Sequence, residues 1–100
     1  MALLEVLKLK RIHGIVSGRV QGVGFRYFTM HEAVNADVKG WVRNRSDGTV
    51  EFEAEGTESN LKAFTEKIKK GPKRSQVENV VTYDIEPKKN ETKFRKRKTK

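Results

Sequence analysis

The 100-residue chain contains no cysteine, so it offers no disulfide, no thiol nucleophile and no cysteine-based metal site. It also has no run of eighteen apolar residues, and no transmembrane helix is therefore expected. The N-terminal residues Met1 to Glu5 become charged too soon to fit a secretory signal, which favours a cytoplasmic protein. A chain of this length suits one domain with one hydrophobic core.

The basic character of the chain is concentrated at its C-terminal end. Residues 88–100 hold eight of the 22 basic residues and one of the 13 acidic residues, which accounts for +7 of the net charge of +9. We therefore predict a domain over residues 1–87, followed by a short basic strand or tail over residues 88–100, interpreted as a solvated end. Such an end can contact nucleic acid weakly, whereas a nucleic-acid-binding domain would carry a basic face within its fold.

Hydrophobic periodicity predicts two helices separated by a hairpin. In chain order, the predicted elements are a loose lead-in over 1–7, a strand over 12–16, a helix over 24–35, strands over 38–45 and 49–55, a helix over 58–70 and a strand over 77–85. Asp47-Gly48 is a strong hairpin signal between the second and third strands. The βαββαβ order predicts an α+β fold with both helices on one face of an antiparallel sheet. Residues 92–97 can add a short fifth strand.

The strand over residues 49–55 alternates between apolar residues and glutamates. We interpret Glu51, Glu53 and Glu55 as a solvated sheet face, because alternate glutamates along a strand do not converge on one metal ion. The two histidines, His13 and His31, have no evident partners for a metal site or a catalytic triad. They are interpreted as surface or packing residues.

Three glycines lie within seven residues, from Gly18 to Gly24, between the first strand and the first helix. Glycine permits a tight turn and close approach to a ligand, and the N–H groups at a helix start attract anions. Arg26 adds a guanidinium suited to phosphate oxygens. The stretch is not a Walker loop, because no Gly-Lys-Ser/Thr follows it, and Tyr27 occupies the position of the third glycine of a dinucleotide fingerprint. Taken alone, it predicts either a phosphate loop or a plain strand-to-helix connection.

Two segments carry a family resemblance. Residues 18–29, GRVQGVGFRYFT, resemble the first signature of the acylphosphatases. Residues 40–44, GWVRN, followed by DGTV at 47–50, resemble the second signature. The likeness extends over about residues 10–85 and implies a ferredoxin-like βαββαβ two-layer sandwich. It also implies a monomeric enzyme that hydrolyses small acyl phosphates to a carboxylate and inorganic phosphate, with no metal and no cofactor.

The resemblance assigns roles to particular residues. It implies that Arg26 binds the phosphoryl group and that Asn44 orients the attacking water. A turn-forming role is the alternative for Asn44, since asparagine favours turns. Arg19 and Arg43 flank the two signatures and are interpreted as solvated residues. The phosphate oxygens are expected to be held by the backbone amides of Val20, Gln21, Gly22, Val23, Gly24 and Phe25.

Two other interpretations compete with hydrolysis. The same fold could serve as a binding module for RNA or another anionic partner. An RNA-recognition domain would show stacking aromatics within a K/R-G-F-G-F-V-like run, which this sequence lacks. The chain could also be a fragment of a larger carbamoyl-phosphate-processing protein, but such proteins carry further domains for which this chain has no room.

Overall fold

The computed structural model describes residues 8–100, so the predicted lead-in over residues 1–7 lies outside the described residues. The elements, in chain order, are β1 (Lys10–Arg19), α1 (Phe25–Ala36), β2 (Lys39–Asn44), β3 (Val50–Gly56), α2 (Glu58–Lys70), β4 (Gln76–Ile85) and β5 (Phe94–Lys96). The predicted order and the short fifth strand are confirmed. No helix within residues 8–100 is long and apolar enough to cross a membrane.

The five strands form one sheet in the order β4-β1-β3-β2-β5. The first four strands pair antiparallel, whereas β5 runs parallel to β2, with Gly40 opposite Phe94. The chain reverses its direction after β4, and β2 itself runs opposite to β4, so the returning chain is parallel to β2. The prediction of an antiparallel sheet therefore holds for four strands, and the complete sheet is mixed.

The core lies between the sheet and the two helices. Phe52 of β3 meets Phe64 of α2 edge-on at a ring-centroid distance of 5.5 Å, and Phe64 lies 5.9 Å from Phe94 of β5. The predicted basic end thus contributes both a strand and a core side chain. The inward face of β1, which its sequence pattern left open, is occupied by Ile12 and Val16. The further buried apolar residues on this side include Val20, Phe25, Ala33, Val38, Val42, Val50, Ala54, Leu61 and Ile68.

The opposite face of the sheet carries a buried ionic cluster. Arg11 is only 1% exposed, and its guanidinium contacts Glu53 at 2.9 Å, Glu55 at 3.1 Å and Glu91 at 3.3 Å. We call these four residues the Arg11 cluster. The carboxylate partners of Arg11 come from β3 and from the chain that follows β4. The cluster therefore holds the segment around Glu91 against the outer face of the sheet. The prediction of a wholly solvated glutamate face is wrong here, because this returning segment covers it.

Glu55 has the most enclosed carboxylate of the Arg11 cluster. Its side chain is 4% exposed and accepts hydrogen bonds from the backbone N–H groups of Lys88 at 2.7 Å and Lys89 at 2.9 Å. Burial acts to raise the pKa of Glu55, but the two amide hydrogen bonds and Arg11 outweigh it, so the pKa lies below its ordinary value. The carboxylate is therefore held in its charged form inside the protein.

Glu51 joins two residues for which the sequence showed no partner. The Nε2 atom of His13 lies 2.8 Å from one of its oxygens, and Nε of Arg43 donates to the other at 2.7 Å. The Arg43 guanidinium also lies 4.8 Å from the ring centroid of Trp41. Arg43 is thus a paired residue, which corrects its interpretation as solvated, whereas Arg19 is exposed as predicted.

Candidate active site

The connection between β1 and α1 depends on two glycines in left-handed backbone conformations. Gly22 has a φ of 72° and Gly24 a φ of 77°. A side chain in this conformation costs about 1–2 kcal/mol per residue. A Cβ atom at either position would meet no atom of residues 8–100 within 4 Å. Glycine is therefore required at both positions by backbone conformation and not by lack of space.

The N–H groups at the start of α1 are open to a ligand. Gly24 is the N-cap and has no side chain to cap the first turn, which also contains no acidic residue. The first helical hydrogen bond runs from the N–H of Phe28 to the carbonyl of Gly24 at 3.0 Å. Within residues 8–100, the N–H groups of residues 22–26 donate to no other residue. These unpaired donors and the helix dipole favour an anion at this point.

The loop, the start of α1 and the end of β2 enclose a small cavity of about 150 Å³. Six of the eight predicted site residues line it, and Tyr27 joins them. The lining consists of Val20, Gly22, Gly24, Phe25, Arg26, Tyr27 and Asn44. The structure therefore brings together the two signature segments, which are separated in the sequence by residues 30–39.

Arg26 and Asn44 reach the cavity from different elements. Arg26 lies half-buried in the first turn of α1. Asn44 is the last residue of β2. It lies opposite Val50 and two positions after Val42, and these two valines are buried on the helix side of the sheet. Asn44 therefore lies on the same side. Within residues 8–100, neither the guanidinium nor the carboxamide forms a side-chain hydrogen bond or ion pair. Both groups are therefore available to a molecule in the cavity.

Gln21 and Val23 are the two predicted residues that do not line the cavity. The side-chain amide of Gln21 donates to the carbonyl oxygens of Arg45 at 2.8 Å and Thr49 at 2.9 Å. It thereby ties the loop to the turn between β2 and β3. Val23 is partly buried against the hydrophobic core. Their side chains stabilise the loop, while the roles expected for their backbone amides stay predictions.

Tyr27 is the cavity residue that sequence reasoning missed. Its side chain is 64% exposed, and its hydroxyl oxygen accepts a hydrogen bond from the Lys96 ammonium at 2.9 Å. The same ammonium lies 4.4 Å from the centroid of the Tyr27 ring. This hydrogen bond and the positive charge of Lys96 lower the pKa of Tyr27. In the sequence, only its position next to Arg26 indicated that Tyr27 could line the cavity, because its partner Lys96 is 69 residues away.

The chain after β5 holds the backbone of Asn44. The N–H of Arg97 donates to the carbonyl of Val42 at 2.8 Å, and the N–H of Lys100 donates to the carbonyl of Asn44 at 3.0 Å. The carbonyl of Lys100 in turn accepts from the N–H of Ser46 at 2.8 Å. The parallel pairing between β2 and β5 thus continues to the point where Asn44 enters the cavity.

Metal-ligating side chains are not clustered in the part of the chain that the structure describes. Over residues 8–100, no three histidine, aspartate or glutamate side chains are placed to hold one metal ion. Arg26 lines the candidate cavity, and the Lys96 ammonium contacts its lining residue Tyr27. The chemistry that the cavity offers is therefore anion binding by a guanidinium and backbone amides, next to a neutral carboxamide.

Comparisons with known proteins identify the family. A sequence model described as "Acylphosphatase" matches residues 12–96. The chain is 47% identical over 89 residues to an acylphosphatase of Geobacillus thermodenitrificans (strain NG80-2), an alignment that covers 87% of this chain and 93% of the relative. The crystal structure of acylphosphatase from Bacillus subtilis superposes with a TM-score of 0.83 at 42% identity, covering 88% of this chain and 97% of that one. An acylphosphatase from Coxiella burnetii gives a TM-score of 0.85 at 37% identity, covering 89% and 93%. The ferredoxin-like fold is confirmed, and the chain belongs to the acylphosphatase family of hydrolases.

Proposed function

We propose that the protein hydrolyses the carboxyl–phosphate bond of small acyl phosphates in the cavity between the loop and Asn44. One observation carries this proposal: Arg26, Asn44 and the loop glycines Gly22 and Gly24 line the same cavity of about 150 Å³. A cavity of this size is large enough for the phosphoryl group. The products are a carboxylate and inorganic phosphate.

Arg26 and the loop amides hold the phosphoryl oxygens. A guanidinium can donate two parallel hydrogen bonds to two oxygens of one phosphate, and the N–H groups of residues 22–26 can donate to others. Among residues 8–100, no carboxylate lines the cavity to compete for these donors. Because phosphoryl transfer depends mainly on positioning and charge stabilisation, these fixed donors can stabilise the charge that redistributes in the transition state.

Asn44 orients the attacking water. Its carboxamide oxygen accepts a hydrogen bond from water and its nitrogen donates one, but the group is not basic enough to remove a proton. The water oxygen attacks phosphorus, the bond between phosphorus and the acyl oxygen breaks, and the carboxylate leaves with the bonding electron pair. The proton of the water passes to an oxygen of the substrate's own phosphate. Because a carboxylate is a good leaving group, no general acid is required.

The protein is expected to hydrolyse benzoyl phosphate without a metal ion. Arg26 and the loop amides supply the positive potential that a metal would otherwise provide. The measurement is the loss of benzoyl phosphate absorbance at neutral pH, with and without an excess of EDTA. Equal rates support the proposal. Loss of activity in EDTA, with recovery on adding a divalent cation, would contradict metal independence.

Replacement of Asn44 by alanine is expected to lower kcat for benzoyl phosphate by about 10²-fold, the usual effect of losing one group that positions a reactant. The inhibition constant of inorganic phosphate should change by less than about twofold, because Arg26 and the loop amides still hold the phosphoryl group. Asn35→Ala, an exposed position near the end of α1, is the matched control and should leave both constants unchanged. A turn-forming role for Asn44 would instead lower stability and phosphate affinity together.

A further inference from the structure

An acyl group too large for the cavity of about 150 Å³ extends past its rim. The cavity is small, and Tyr27 is its most exposed lining side chain. Lys96 contacts Tyr27 through both the hydroxyl oxygen and the ring. We call Tyr27 and Lys96 the rim pair. Its two members come from α1 and β5, so the rim is built only when the last strand joins the sheet.

The rim pair presents hydrogen-bond donors and positive charge. The Lys96 ammonium uses one of its three N–H groups on the Tyr27 oxygen, which leaves two for another acceptor. Since that oxygen already accepts from Lys96, the Tyr27 hydroxyl proton is free to donate. Within residues 8–100, Lys96 has no carboxylate partner. An anionic group at the rim would therefore meet a charged donor and a neutral donor side by side.

We propose that the rim pair selects acyl phosphates whose acyl portion carries a second anionic group, a carboxylate or a phosphate. The inference rests on the proposed function, because it places the phosphoryl group on Arg26 and the acyl group at the rim. An uncharged aromatic acyl group gains less binding energy at the rim than an anionic one. It cannot stack on the face of the Tyr27 ring that the Lys96 ammonium covers at 4.4 Å. The interaction forms at an exposed position, so its strength depends on salt.

Two substrates of nearly equal shape test this selection: 4-carboxybenzoyl phosphate and 4-carbamoylbenzoyl phosphate, which differ in the charge of the para substituent. The readout is the ratio of their kcat/KM values, carboxylate over carboxamide, at low ionic strength. Lys96→Gln should lower this ratio about threefold to fivefold, as expected for an exposed ion pair. Lys96→Glu should lower it further, and Tyr27→Phe, which removes the hydroxyl and keeps the ring, should lower it to a lesser extent.

Lys62→Gln provides the matched control. It makes the same change in net charge, but Lys62 lies beside Lys10 and Glu58, at the end of the sheet remote from the cavity. The ratio of the two kcat/KM values for Lys62→Gln should equal that of the wild type. About 0.5 M salt should reduce the wild-type ratio toward that of Lys96→Gln, because the Debye length is then only a few ångströms.

The outcomes separate the two proposals. If Lys96→Gln lowers both kcat/KM values equally, the rim pair only fastens β5 to α1 and the inferred selection is overturned. A wild-type ratio that matches that of Lys96→Gln would also overturn it, while turnover of the carboxamide substrate would leave the proposed function intact. Failure of the wild-type protein to hydrolyse either substrate would overturn the proposed function itself.

Discussion

Arg26→Ala is expected to lower kcat/KM for benzoyl phosphate by about 10³-fold, the upper range for removal of one group that stabilises transition-state charge. Arg26 is the only charged residue among those that line the cavity in the described part of the chain. Its loss leaves the phosphoryl group with backbone amides alone. The inhibition constant of inorganic phosphate should rise in parallel, which distinguishes this variant from Asn44→Ala. Both constants can be measured in one steady-state assay.

Arg19→Ala is the matched control for this prediction. It removes the same charge from the exposed end of β1, next to the loop but outside the cavity lining, and should retain most of the activity. Arg26→Lys keeps the charge and loses the planar pair of donors, so intermediate activity is expected. Wild-type phosphate affinity in Arg26→Ala would remove the guanidinium from the proposed mechanism. Equal losses in the Arg19 and Arg26 variants would point to general attraction of anions instead.

Arg11→Met is expected to reduce the free energy of unfolding by about 3–5 kcal/mol, the cost of removing one partner from a buried ion pair. The methionine side chain fills much of the arginine's volume but cannot neutralise Glu53, Glu55 and Glu91. Glu55 would remain buried and charged, with only its two backbone donors. Urea unfolding at pH 7 measures the loss. Arg74→Met, at an exposed position after α2, should change stability by less than about 0.5 kcal/mol.

The stability difference between the wild type and Arg11→Met should depend on pH. The pKa of Glu55 is lower in the folded protein than its ordinary value of 4.5. Its charged form therefore contributes stability that is present above that value and is lost as the pH falls through the folded pKa. In the variant, the charged form of Glu55 contributes less to the free energy of unfolding, because the favourable interaction with Arg11 is absent. The difference should narrow as the pH falls below about 4.5, and a constant difference from pH 7 to pH 3 would contradict the cluster's role.

Local sequence signals were sufficient for the order of the elements, whereas the candidate site residues came from the family resemblance. Apolar patterns together with turn and cap residues predicted each strand and helix to within a few residues, and the alternation was clearest along β3, which has one buried face. The two signature segments predicted Arg26 and Asn44 as site residues, and the structure places both on one cavity. Their catalytic roles rest on the resemblance and stay proposals until the variants are measured.

Contacts between distant parts of the chain could not be predicted from local patterns. Alternation along β3 placed Glu55 correctly on the outer face, but it carries no information on which later segment covers that face. Arg11 meets Glu91 across 80 residues, and Tyr27 meets Lys96 across 69. The composition of residues 88–100 favoured a solvated end, whereas Phe94 alone is enough to bury part of it in the core. The division of the chain at residue 87 stays a prediction.

The position of β5 also affects how copies of the protein meet. A strand at the border of a sheet exposes unpaired N–H and C=O groups that can pair with a strand of another molecule. Here that border strand is only three residues long, and basic side chains dominate it and its flanks: Lys93, Arg95, Lys96, Arg97 and Lys98. Two copies approaching through this border would bring like charges together. We therefore expect the basic residues around β5 to oppose pairing between two copies through this border of the sheet.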